Sequence, residues 1–118
     1  MAKINSRQKG CRGEREFAKL LRGYGYEAER GQQHAGGKDS PDVKTNMPKT
    51  HWEVKRTERL HLEDALEQSK RDAGEDEFAL VAHKKNRSKW VVICDMEDFM
   101  EFYQAWEREY VGKSKVGK

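Results

Sequence analysis

The spacing of apolar residues along the chain predicts eight secondary-structure elements. Apolar positions recur every three or four residues in three segments, as in amphipathic helices, and alternate or run together in five short segments, as in strands. The predicted helices cover residues 6–22, 62–73 and 96–110, and the predicted strands cover 26–30, a short stretch from 42, 51–57, 78–82 and 90–94. The order αβββαββα predicts an α/β fold in which helices flank a mixed central β-sheet.

The last strands and the last helix are predicted to be buried. The continuous apolar runs at 78–82 and 90–94 indicate strands that are covered on both faces. The final helix places four aromatic residues on one face: Phe99, Phe102, Tyr103 and Trp106. Such a face packs in the core or against a second copy of the chain, and we expect core packing.

One acidic residue falls on the apolar face of the first helix. Helical spacing places Glu14 beside Phe17 and Leu21, whereas Glu16 points mostly away. A carboxylate on the buried side of a helix is costly unless it is paired or binds a cation. Glu14 therefore either forms a salt bridge, for instance with Lys55, or extends to the surface, or belongs to a metal site.

A cluster of acidic residues is predicted at the 51–57 strand. Strand alternation places Glu53 and Lys55 on one face, roughly 6–7 Å apart. Pro41 suits a strand start, so that Asp42 can lie across a hairpin from Glu53. Two facing carboxylates repel, and a bound cation is the simplest remedy. Oxygen ligands of this kind suit Mg²⁺ or Mn²⁺, and a lysine beside a metal-bound water suits phosphodiester hydrolysis.

Charge is unevenly distributed, although the net charge of the 118 residues is only +3. Residues 1–22 contain seven basic and two acidic side chains, residues 58–77 contain three basic and eight acidic ones, and residues 83–90 contain four basic and no acidic ones. Segregated basic patches are typical of proteins that bind a polyanion. Solvated helix faces produce the same pattern, so both interpretations stay open.

Length and composition indicate a single domain over residues 1–112, followed by a basic tail, 113–118, that we expect to be disordered. No apolar run reaches transmembrane length and no signal peptide is apparent, so we expect a cytoplasmic protein with no membrane partner. Cys11 and Cys94 are too few and too far apart for a disulfide framework or a metal knuckle.

Four elements in succession resemble the PD-(D/E)XK nuclease superfamily. They are the run KGCRGEREF at 9–17, then Arg30, then Pro41-Asp42, then Glu53-Val54-Lys55. Within the superfamily, the pattern is most similar to the archaeal-type Holliday junction resolvases and their small phage-encoded relatives. The resemblance covers roughly residues 9–94 and implies a restriction-endonuclease-like core; for a phage protein the compartment would be the host cytoplasm.

The resemblance implies roles for particular residues. Asp42 and Glu53 would be the central metal ligands, with the carbonyl oxygen of Val54 as a third. Glu14 would bind the metal through water or hold a second ion, and Lys55 would position the attacking water. The resemblance also implies that Gln68 is an accessory residue. Arg30 would contact phosphate or support the site, and the basic segments supply the other expected DNA contacts: Lys9, Arg12, Arg15, Lys84, Lys85 and Arg87.

These observations favour a Mg²⁺- or Mn²⁺-dependent DNA endonuclease, either structure-specific for branched DNA as the resolvases are or a general nuclease. A branched substrate cut on two strands would call for a homodimer with two active sites. One alternative is a non-catalytic nucleic-acid-binding module with a nuclease-like fold, in which the acids form structural ion pairs. Another is a small interaction protein whose segregated charge serves a protein partner.

Overall fold

The structure, a computed structural model, describes residues 6–31 and 41–111, and for residues 6–10 it describes the backbone alone. Its elements are α1 (Ser6–Gly23), β1 (Ala28–Arg30), β2 (Val43–Thr45), β3 (Thr50–Arg56), α2 (Leu62–Asp72), β4 (Phe78–Lys84), β5 (Val91–Ile93), α3 (Met96–Trp106) and a π-helical turn at Glu107–Val111. The predicted order αβββαββα is confirmed. The glycine-rich segment 32–40 and the tail 113–118 lie outside the described residues.

The five strands form one mixed sheet in the order β1-β2-β3-β4-β5. Strands β1, β2 and β3 are antiparallel neighbours, β4 is parallel to β3, and β5 is antiparallel to β4. The parallel pair requires a crossover, which α2 provides. The predicted α/β fold with a mixed central sheet and flanking helices is confirmed.

The main core lies between α1 and one face of the sheet. Phe17 of α1 is 2% exposed, and its ring centroid lies 4.9 Å from that of Trp52 and 5.0 Å from that of Trp90. The other buried side chains of this cluster are Ala18, Leu21, Ala28, Val43, Val54, Leu80 and Ala82. The apolar face predicted for α1 is therefore the face that packs on the sheet.

Helix α2 packs on the opposite face, against β3 and β4. Its buried residues are Ala65 and Ser69, and the Ser69 hydroxyl donates a hydrogen bond to the Leu80 carbonyl at 3.3 Å. Since β3 alternates, the sheet face under α2 carries His51, Glu53 and Lys55. The candidate site lies on this polar face of the sheet, not on the face that packs in the aromatic core.

The prediction that β5 and α3 are buried is wrong. Val91 and Val92 are about half exposed, and none of the residues of α3 is buried. Strand β5 lies at the sheet edge, whereas α1 packs on β1 to β3 and α2 on β3 and β4. The α3 aromatic face does not form core as expected, although Phe102 contacts Phe78 of β4 with ring centroids 4.4 Å apart. None of the helices in the described ranges has the length and apolar content needed to cross a bilayer.

Gly13 lies where α1 crosses β3. A Cβ atom at Gly13 would lie 2.5 Å from the Cβ of Arg56, an atom that moves only with the strand backbone. We predict that Gly13→Ala destabilises the protein by about 1–3 kcal/mol, because overpacking outweighs the better helix propensity of alanine. Urea unfolding measures the change. Gly23→Ala is the control, since nothing lies within 4 Å of a Cβ there; equal effects of the two substitutions would contradict the steric explanation.

Candidate active site

Asp42 and Glu53 meet where β2 begins beside the middle of β3. Val43 pairs with Trp52 in the antiparallel ladder, which places Asp42 opposite Glu53 as the hairpin model predicts. The two acids are 7% and 1% exposed, and their carboxyl groups contact each other. Two acidic side chains are thus buried together at one point of the sheet.

The backbone holds Asp42 in place from both sides. Its N–H donates to the Trp52 carbonyl at 2.9 Å, and the N–H of Val54 donates to Asp42 Oδ2 at 2.8 Å. The Asp42 carbonyl accepts a hydrogen bond from the N–H of Gly31 at 2.8 Å. A Cβ at Gly31 would overlap the carbonyl oxygen of Pro41, so this close approach requires glycine.

Glu14 reaches the same region from α1 and is paired with Arg30. The Arg30 Nε donates to Glu14 Oε1 at 2.8 Å, and the Glu14 side chain is 11% exposed. The choice of Glu14 over Glu16 by helical spacing agrees with the structure, in which Glu16 instead pairs with Arg56 at 3.1 Å. The partner of Glu14 is Arg30, not Lys55.

Burial and mutual repulsion act on both buried glutamates. The pKa of Glu53 is raised, chiefly by burial and further by the Asp42 carboxyl, while the hydrogen bond from His51 lowers it. The pKa of Glu14 is raised by burial and by Asp42, against the lowering effect of Arg30. In the metal-free protein, Glu53 and Glu14 therefore bind protons more tightly than unperturbed glutamates do. A divalent cation bound at the same place would replace these protons.

Lys55 lies two residues beyond Glu53 on the same face of β3. Its ammonium Nζ donates to Gln68 Oε1 of α2 at 3.2 Å. Gln68, the residue that the resemblance implies is accessory, is therefore the side chain that Lys55 contacts. Lys55, Gln68 and Arg59 line an open cavity of about 330 Å³.

His51 was not singled out from the sequence, although it shares a strand face with Glu53. It is 1% exposed, and its Nε2 lies 3.0 Å from Glu53 Oε2. Burial lowers the pKa of His51, but the hydrogen bond to Glu53 and the charges of Glu53, Glu77 and Asp72 together raise it. The period-two position, two residues before Glu53, was the signal that could have identified it.

The donor set suits Mg²⁺ or Mn²⁺. Within the described ranges, no group of three histidine, cysteine or acidic side chains converges as a preformed metal site. Magnesium needs fewer protein ligands, because it is commonly held by one or two carboxylates and keeps several waters. The N–H of Val54 donates to the Asp42 side chain. In a strand, the N–H and C=O of one residue point to the same neighbouring strand, so the Val54 carbonyl also faces the Asp42 side of β3. Two carboxylates and one carbonyl fit such an ion.

The predicted DNA-contacting residues lie around α1 and the turn between β4 and β5. Arg12, Arg15, Lys85 and Arg87 are exposed. Lys84 is partly buried, and its Nζ lies 3.6 Å from a Glu16 carboxylate oxygen. The side chain of Lys9 lies outside the described residues.

The comparisons with known proteins found similarity to solved structures. No family model matches the chain, and no curated protein matches it. Among solved structures, the chain is similar to Hjc, a Holliday junction resolvase from the hyperthermophilic archaeon Archaeoglobus fulgidus. The identity is 29% over 73% of this chain and 72% of that chain, with a TM-score of 0.54. This similarity confirms the restriction-endonuclease-like fold expected from the sequence.

Proposed function

We propose that the protein is a metal-dependent DNA endonuclease that hydrolyses phosphodiester bonds in branched DNA. The observation that carries this proposal is the buried pairing of Asp42 with Glu53, with Lys55 on the same strand face. The similarity to an archaeal Holliday junction resolvase supports both the reaction class and the substrate class. The superfamily assignment to the PD-(D/E)XK nucleases rests on the same ordered residues.

Asp42, Glu53 and the Val54 carbonyl would hold the metal ion. Bound there, Mg²⁺ or Mn²⁺ would polarise a phosphoryl oxygen and lower the pKa of a water molecule. Lys55, held by Gln68, would offset the negative charge that develops on the phosphate and orient the attacking water. Arg30 keeps the Glu14 carboxylate at the edge of this cluster and would also face the phosphate backbone, since its side chain is 39% exposed.

The exposed basic residues of α1 and of the β4–β5 turn would bind the DNA backbone. Such contacts position the substrate without reading its sequence, and their strength falls steeply with salt. Recognition would therefore depend on the shape of the DNA more than on base sequence.

Substitutions of Asp42 and Lys55 test the catalytic proposal. We predict that Asp42→Asn and Lys55→Ala each lower the cleavage rate about 10²–10³-fold or more, because each removes charge stabilisation in the reaction. Cleavage of a four-way junction, a flap, a linear duplex and single-stranded DNA is measured with Mg²⁺ and with Mn²⁺. The controls are Asp76→Asn and Lys44→Ala, which change exposed residues of the same types.

Undiminished cleavage by Asp42→Asn would refute the mechanism. Salt-sensitive DNA binding without cleavage by wild type, with either metal, would instead support the non-catalytic binding module.

The carboxyl cluster also predicts how stability depends on pH. A raised pKa means that the folded, metal-free protein holds the Glu53 proton more tightly than the unfolded chain does. This contribution is fully present below the ordinary value of 4.5 and is lost as pH rises through the raised pKa. We predict that Glu53→Gln stabilises the metal-free protein relative to wild type, increasingly so from pH 4.5 to neutrality.

Chemical unfolding in chelator across this pH range measures the difference. Added Mn²⁺ at a hundred times its dissociation constant should stabilise wild type by about 2.7 kcal/mol and the variant by less. Glu63→Gln, an exposed change on α2, should behave as wild type does. Equal stabilisation of Glu53→Gln and wild type by Mn²⁺ would exclude Glu53 as a ligand.

A branched substrate that is cut on two strands requires two active sites, so we propose that two copies pair through the exposed α3 aromatic face. The residues of this face, Phe99, Phe102, Tyr103 and Trp106, are 40–49% exposed, and Val91 and Val92 of the edge strand β5 are also about half exposed. A solvent-exposed apolar surface of this extent is typical of a protein interface.

We predict that the double variant Phe99→Asp/Tyr103→Asp halves the mass measured by light scattering after gel filtration. Two buried charges in the interface would cost more than a small dimer interface supplies. Tyr24→Asp, which changes an exposed aromatic residue outside this face, should leave the mass unchanged. A wild-type protein that is monomeric at every concentration would refute the dimer.

A further inference from the structure

His51 is a buried polar side chain that neither the fold nor the proposed metal ligation uses. It lies near the start of β3, on the polar sheet face under α2, and is 1% exposed. Burying an imidazole there costs free energy that an aliphatic side chain would avoid. The hydrogen bond to Glu53 offsets part of this cost.

The partners of His51 define its hydrogen-bonding state. His51 Nε2 lies 3.0 Å from Glu53 Oε2, within hydrogen-bonding distance. When Glu53 is ionised, as a metal ligand must be, its carboxylate only accepts hydrogen bonds, so Nε2 is then the donor. On the other side of the ring, Nδ1 lies 3.7 Å from Glu77 Oε1, which is too long for a hydrogen bond. Glu77 is itself held by the N–H of Gly74, which donates to Oε1 at 2.8 Å.

Glu53 is thus contacted from two directions. His51 engages one carboxylate oxygen from along the strand, and Asp42 contacts the carboxyl group from the neighbouring strand. With the Oε2 atom engaged, the rotation of the carboxylate about its last bond is restricted. Outer hydrogen-bond partners of metal-ligating groups commonly fix orientation in this way, and their loss costs 10–100-fold in metal affinity.

We propose that His51 is a positioning residue that orients the Glu53 carboxylate for metal binding. The inference rests on the proposed function, because it concerns the same site. It adds a residue from outside the Pro-Asp and Glu-x-Lys elements, which the strand period places on the same face as Glu53.

Two substitutions separate orientation from packing. His51→Leu keeps an apolar side chain of similar size but removes the donor, whereas His51→Gln keeps an N–H donor at a similar reach. Isothermal titration calorimetry with Mn²⁺, in the absence of DNA, should show about 10–100-fold weaker binding for His51→Leu and affinity close to wild type for His51→Gln. In cleavage assays, the metal concentration at half-maximal rate should rise for His51→Leu, while KM for DNA stays the same.

Ser69→Ala is the matched control, since it removes a buried hydrogen bond under the same helix without touching Glu53. It should lose stability but bind Mn²⁺ as wild type does. Equal weakening by His51→Leu and His51→Gln, or wild-type Mn²⁺ affinity in both, would overturn the positioning role while leaving the proposed function intact. Failure of wild type to bind Mn²⁺ or to cleave any DNA would overturn both.

Discussion

The hydrogen bonds between Asp42 and β3 are the contacts on which the candidate site depends. Strand β2 has only three residues, so little ladder exists to define where it begins. Asp42 fixes where β2 begins. Its side chain accepts a hydrogen bond from the N–H of Val54, and its backbone N–H donates to the carbonyl of Trp52. The same residue therefore terminates the hairpin and presents an acid to Glu53. Moving β2 by one residue would point its side chains to the other face of the sheet and separate the two carboxyl groups.

The buried carboxyl groups destabilise the folded state of this small domain, so other contacts must offset their cost. Burial and repulsion disfavour ionised Glu53, and the raised pKa of Glu14 shows that the effect extends to α1. The opposite face of β3 provides the compensation, where Trp52 and Val54 pack with Phe17 in the main core. One strand thus carries the core on one face and the chemistry on the other, which couples the rigidity of the core to the geometry of the acids. Stored repulsion of this kind is typical of sites that bind a cation.

The element order and the positions of Glu14 and Glu53 could be predicted from helical and strand periodicity, because these periods relate residues that are close in sequence. Helical spacing alone separated Glu14 from Glu16, and strand alternation alone placed Glu53 opposite the core. The Arg30 partner of Glu14 could not be predicted, since the pairing joins elements through the position of β1 in the sheet. The exposure of β5 was missed for a related reason. A short apolar run has the same pattern at the edge of a sheet as at its centre, and only the layout of α1 and α2 decides which it is.

The distribution of charge over the helices indicates how a polyanion would approach. Helix α1, which also carries Glu14, exposes Arg12 and Arg15. The segment 96–111, by contrast, contains five acidic residues and one basic residue around its aromatic face. A surface that is acidic and aromatic repels a phosphate backbone but can still bury apolar area against protein. The two surfaces are therefore suited to different partners, a polyanion at α1 and another polypeptide at α3.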